Sequence, residues 1–333
     1  MTINFEHSQS AHCENGVVSN LLRFHGLNIS EPMIFGIGSG LFFSYIPFLK
    51  LNGTPITSYR TMPGQIFSRA CKLLGIKMVK KNFRSQNQAM DELDKTLEKG
   101  IPAGLQTSVY YLPYLPAPYR FHFNAHNIVV YGKENGHYMV SDPIMDDVST
   151  IAPDDLLRAR YAKGPFAPKG KMYFPVDIPE EFDLKKPILK GIKKTAGDML
   201  NVPIPIFGVR GIRFLSKQLR KAPKKYGERK ARYFLGNLIR MQEEIGTGGA
   251  GFRFIFAAFL QEAATILERE ELDNISKEMT ENGDRWREFA YLAGKICKGR
   301  AEKDASYNQL ADIVADCAER EKTIFKKLLE ISV

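Results

Sequence analysis

Two runs of β-branched and aromatic residues, Asn127-Ile-Val-Val-Tyr and His137-Tyr-Met-Val-Ser, flank Gly132-Lys-Glu-Asn-Gly136, and nothing else in the chain restricts its fold as much. Such runs suit a pleated surface, and a polar turn bracketed by glycines closes them into an antiparallel hairpin. His126 then begins one strand and Asp142 ends its neighbour, so the two side chains can lie side by side.

Far upstream, Cys13 sits in His7-Ser-Gln-Ser-Ala-His-Cys-Glu-Asn-Gly and opens an apolar-periodic segment through Val17, Val18, Leu21 and Leu22. That spacing predicts a helix with the thiol at its N-terminus, where the helix dipole and unpaired backbone N–H groups favour the thiolate. A cysteine nucleophile needs a base within hydrogen-bond reach and a third group to hold the imidazole, and the fold, not proximity in sequence, brings these together. Cys13, His126 and Asp142 are the candidate catalytic residues. The competing reading of Cys13 is a small buried hydrophobe.

Other motifs carry less. Gly36-Ile-Gly-Ser-Gly40 lacks the GxGxxG spacing and follows a helix start (Ser30, Glu31, Pro32), so it reads as a tight turn that could wall the active site. Gly246-Thr-Gly-Gly-Ala-Gly251 has no Gly-Lys-Ser/Thr after it and reads as a loop before a helix over 252–269. His122 and His126 stand four apart, but in strand-like surroundings and without a third ligand, so no metal and no cofactor are expected. His12 reads as a local hydrogen-bonding group beside the nucleophile, and His25 and His137 as peripheral.

The segments His7 to Gly16, Leu21 to Leu41, Tyr110-Tyr-Leu-Pro-Tyr, His126 to Gly132 and Ser141-Asp-Pro together resemble the N-terminal domain family of the butirosin biosynthesis protein BtrH. Gly246-Thr-Gly-Gly-Ala-Gly-Phe-Arg and Asp284-Arg-Trp-Arg-Glu-Phe-Ala resemble the helical domain of unknown function that follows it. The resemblance implies an α+β chain: a papain-like, C39-peptidase-like N-terminal domain and an all-α C-terminal domain. It also implies acyl transfer from a thioester, carried by an acyl carrier protein or CoA, to a small amine in specialised metabolism such as antibiotic biosynthesis. Cys13 would take the acyl group, His126 act as base and Asp142 orient it. Papain-like enzymes place an oxyanion-hole Gln six residues before the nucleophile; here His7 stands there and Gln9 is four before. Gln9, His12, Tyr110, Tyr111 and Arg253 are the candidate substrate-binding residues. A cysteine peptidase or amidase and a non-catalytic binding protein are the rival functions.

The chain of 333 residues is long enough for two domains, divided here at the Pro-rich stretch Gly164 to Pro179 into 1–182 and 183–333. Helices are expected near 13–25, 31–36, 62–74, 86–99 and 153–161. Strands are expected near 76–81, 101–110, 126–132, 137–142 and 171–176, with four or five helices beyond 183. No membrane span or signal peptide is read, so the expected location is the cytoplasm. The four cysteines form no CxxC pair. The net charge of +10 concentrates in Lys185 to Lys194 and Arg210 to Lys230. Too few aromatics interleave for nucleic acid, whereas an acidic carrier protein fits, with the helical domain covering the cleft. The sequence leaves self-association into a homo-oligomer open.

Overall fold

The computed structural model describes residues 3–51, 53–180, 183–300 and 306–331. In chain order the first elements are α1 (Cys13–Phe24), α2 (Glu31–Ile37), β1 (Leu41–Leu51), β2 (Thr54–Arg60), α3 (Gln65–Leu73), β3 (Lys77–Lys81), α4 (Gln86–Glu98) and β4 (Ala103–Thr107). Then come β5 (His126–Glu134), β6 (His137–Ser141), β7 (Ser149–Ile151), α5 (Pro153–Arg160) and β8 (Met172–Asp177). Among the described residues there follow α6 (Lys185–Asn201), α7 (Gly208–Tyr226), α8 (Glu228–Ile239), α9 (Arg253–Leu267), α10 (Glu270–Cys297) and α11 (Tyr307–Ile331). Internal contacts divide the chain into two compact units, Met1–Ile34 with Cys71–Phe182, and Phe35–Ala70 with Asp183–Val333. The division therefore does not fall at one point: residues 35–70 group with the helical half.

The first unit is built on a six-stranded antiparallel sheet in the order β3-β8-β4-β5-β6-β7. The expected hairpin is β5–β6, with Asn135 and Gly136 both at positive φ in the turn, where asparagine and glycine bear least strain. Alternate residues of the sheet, among them Leu105, Ile128, Val130, Val140 and Met172, join Leu93 and Leu97 of α4 and Leu156 of α5 in one buried core. Helix α1 packs against β4, β5 and β8. The helix that opens with Cys13 is thus laid on the antiparallel sheet at which His126 and Asp142 lie, as the expected fold requires.

Two glycines permit close approach in this unit. A Cβ on Gly104 would lie 2.4 Å from the Tyr173 ring, whose hydroxyl reaches 2.8 Å to donate to Asn127 Oδ1. A Cβ on Gly16, one turn into α1, would lie 2.6 Å from both Pro143 and Ser10, while the Ser10 N–H donates to the Pro143 carbonyl at 2.7 Å. The start of α1 is thereby pinned to the residue that follows Asp142.

The second unit holds the hairpin β1–β2 and α6 to α11. The sequence reading had no strand over 41–60 and four or five helices after 183. The hairpin was obscured because Leu41 to Leu51 is a nearly continuous apolar run, whose periodicity separates strand from helix poorly. Its Phe43, Tyr45 and Tyr59 bury their rings against Trp286, Phe214 and Phe234. The glycines of Gly36 to Gly40 serve packing: a Cβ on Gly36 would meet the Phe259 ring at 2.1 Å, and one on Gly40 the Phe35 ring.

Glu321 gathers this interior. Arg253 donates to it through both Nε and Nη2, and Asn282 and the Trp286 indole donate as well, at 2.9 to 3.1 Å. Ala250–Leu267 is long and apolar enough to cross a membrane by length and composition alone, a run the sequence reading had not counted. Most of it is buried within the protein, and Arg253 near its start is ion-paired.

Candidate active site

Cys13 is the first residue of α1, and His12 caps the helix in extended conformation, φ −126° and ψ 123°. The Glu31 carboxylate holds the approach to the helix, accepting the backbone N–H groups of Ala11 at 2.9 Å and His12 at 2.7 Å. Burial raises the Glu31 carboxyl above its usual range, and those two hydrogen bonds pull against the rise. Cys13 is 7% exposed, and His126 and Asp142 are more deeply buried still.

His126 opens β5 opposite Thr107 of β4, and Asp142 follows the last residue of β6. The imidazole Nε2–H donates to Asp142 Oδ2 at 2.8 Å. Its side chain also hydrogen-bonds Cys13, which leaves Nδ1 as the nitrogen facing the sulfur. Burial pulls the imidazole pKa down, but the Asp142 carboxylate and the Cys13 sulfur outweigh it and carry it up to about 10. An imidazolium kept through neutral pH beside the cysteine sulfur places a proton donor at the atom where a nucleophile would act.

Asp142 has further donors that sequence reasoning missed. Tyr114 donates its hydroxyl to the same Oδ2 at 2.9 Å, and the Ile144 N–H donates to Oδ1 at 3.2 Å. Tyr114 belongs to the motif Tyr110-Tyr-Leu-Pro-Tyr, yet nothing in that pattern marks which tyrosine faces inward. His7 donates through Nε2 to the Met145 carbonyl at 3.1 Å and accepts from the Ser141 hydroxyl at 2.8 Å, bracing the residues on either side of Asp142.

Of the expected substrate-binding residues, His12 adjoins the nucleophile as the cap of its helix. Gln9 is exposed and donates to Asp146 at 2.5 Å, and His7, six before the cysteine, is committed to Ser141 and Met145. His12 is buried at the helix cap. Tyr110 is 44% exposed and stacks on His122 at 4.1 Å. Tyr111 lines a pocket of about 430 Å³ with His122, Arg158 and Lys163. Arg253 is corrected outright as a ligand-binding candidate: it is wholly buried, and its guanidinium is consumed by Glu321 and the Gly251 carbonyl. Among the described residues no group of three or more His, Cys, Asp or Glu could hold a metal ion.

A family model described as "Butirosin biosynthesis protein H, N-terminal" matches residues 12–143, and one described as "Domain of unknown function (DUF4872)" matches 154–328. The second match begins upstream of the helical half and takes in β8, which pairs with β3 and β4 in the sheet. Among solved structures, a C39-like peptidase from Bacillus anthracis is similar at 15% identity and a TM-score of 0.37, covering 54% of this chain and 98% of that chain. No curated protein matches. The second of these models spans more than half of the chain, so the chain belongs to the DUF4872 domain family, with residues 12–143 matching the N-terminal domain of butirosin biosynthesis protein H.

Proposed function

We propose that this protein is an acyltransferase that moves an acyl group from a thioester to an amine through an acyl-Cys13 intermediate. The observation that carries the reading is the chain of hydrogen bonds from Cys13 to His126 to the buried Asp142. The Cys13 thiolate attacks the thioester carbonyl, forming a carbon–sulfur bond and a tetrahedral oxyanion. Collapse expels the donor thiol, which leaves with the proton from His126. The neutral imidazole then takes a proton from the attacking amine, and the second adduct collapses to an amide and the Cys13 thiolate. Backbone N–H groups in the first turn of α1 are the donors nearest the nucleophile for the oxyanion, since the side chains of His7 and Gln9 are engaged elsewhere.

The donor is carried by an acidic carrier protein that docks on the exposed basic side chains of α7 and α8, among them Lys221, Lys224, Lys225, Arg229 and Lys230. The deciding experiment incubates the protein with simple acyl thioesters, with and without amines. Intact-protein mass should rise by one acyl group, and with amine present the product should be amide. Free acid as the sole product would make the protein a hydrolase, and no acyl adduct at all would remove the cysteine chemistry.

A further inference from the structure

The Asp142 carboxylate is fully buried, and its Oδ2 is shared: His126 Nε2 lies at 2.8 Å and the Tyr114 hydroxyl at 2.9 Å. Tyr114 is held in place from both sides. Leu112 and Leu115 are buried, with the Leu112 N–H donating to Val109 and the Leu115 N–H to Leu112, each at 3.2 Å. We propose that Tyr114 is the positioning residue of this centre, clamping Asp142 Oδ2 and, by sharing that oxygen with His126, setting how much of the carboxylate's charge reaches the imidazole.

Three observations bear on it. A buried carboxylate needs donors, and Oδ1 has one backbone N–H at the longer distance of 3.2 Å, so Oδ2 carries the stronger interactions. Burial, together with the Asp142 charge and the hydrogen bond to it, holds the Tyr114 hydroxyl well above its usual range, so it remains a donor throughout the pH range of a protein. The titratable groups that face His126 are Asp142 and Cys13; Tyr114 faces Asp142. Glu14, next to Cys13, acts instead on Lys171 and Tyr173. Removing the Tyr114 donor leaves Oδ2 to His126 alone. The imidazolium is then favoured further.

This inference rests on reading Cys13 and His126 as nucleophile and base, but its test needs no thioester. The His126 ring is titrated by NMR, and Cys13 alkylation is followed against pH, in the wild type, in Tyr114→Phe, and with 3-fluorotyrosine at position 114. Tyr114→Phe should move the His126 titration up by about one pH unit, the scale of one hydrogen bond to a charged group. The alkaline limb of alkylation should move with it. Fluorotyrosine, a stronger donor of nearly the same shape, should move both down. Titrations that stay at the wild-type position, or that move in the same direction in both variants, would overturn the assignment and leave Tyr114 as packing. Should Tyr114→Phe not fold, the fluorotyrosine shift decides alone. If Cys13→Ala and His126→Ala retain thioester turnover, the acyl-transfer reading falls while the titration result stands.

Discussion

At the scale of single residues, the four cysteines are set apart by their surroundings. Burial raises Cys71 to about 12, raises Cys297, and raises Cys317 well above the ordinary thiol range, where the Glu321 charge adds to it. Cys13 has instead a helix N-terminus and the His126 imidazole. Pulse alkylation at neutral pH with peptide mapping should therefore label Cys13 well before the other three; equal labelling would sink the claim of an activated thiol. Cys13→Ala and His126→Ala should each abolish acyl-enzyme formation with the fold retained, seen by mass and circular dichroism. Asp142→Ala should keep a residue of turnover, down by about 10²- to 10⁴-fold, because an orienting group contributes less than the nucleophile. If His122→Ala is the inactive variant and His126→Ala turns over, the base has been misassigned. The raised His126 pKa also sets the sign of a stability effect. A folded-state pKa of about 10 against an ordinary 6.5 stabilises the protein fully below pH 6.5, and that contribution is lost as pH climbs through 10. The unfolding free energy from denaturant titrations should fall over that window by at most about 1.4 kcal/mol per pH unit, and His126→Ala should flatten the slope.

At the scale of elements, the site depends on how α1 meets the loop after β6. Gly16 is the contact: with 2.6 Å between a built Cβ and both Pro143 and Ser10, any side chain must push the loop away from the helix. Gly16→Ala should cost about 1 to 3 kcal/mol, as overpacking does, and slow Cys13 alkylation because Asp142 adjoins the displaced proline. A variant with wild-type stability and wild-type alkylation would show that the approach is not needed. The elements themselves were legible where two signals coincided. The hairpin β5–β6 had β-branched strands and a glycine-bracketed turn, and α1 had its apolar period. By contrast β1–β2 went unread, although Asn52-Gly53 between apolar runs is the usual signature of a hairpin. The continuous apolar run hid the alternation, because the hairpin is buried against helices in its own unit.

For the whole molecule, the uneven charge matters most. Arg213 and Arg220 of α7 are ion-paired to Glu319 and Asp312 of α11, so part of the basic run serves the helical unit itself. Lys224 and Lys225 are exposed, and no acidic side chain pairs with them among the described ion pairs. Reversing them, Lys224→Glu with Lys225→Glu, should raise KM for a carrier-bound donor several-fold and leave turnover of a small free thioester unchanged. Added salt should mimic the change, since exposed charges are screened beyond about 8 Å at physiological ionic strength. Equal responses of carrier-bound and free donors would make the run a solubilising surface. What the sequence determined by itself was local: a thiol at a helix start, a His and an Asp on neighbouring strands, and a helical second half, each written in periodicity and turn chemistry within a few residues. The tertiary structure alone decided which partners those groups meet. Tyr114 reaches Asp142 across 28 residues, His7 reaches Ser141 across 134, Arg253 is spent on Glu321 across 68, and residues 35–70 pack with the helical unit. Contacts of that separation are fixed by packing and burial, which leave no short-range pattern in a chain.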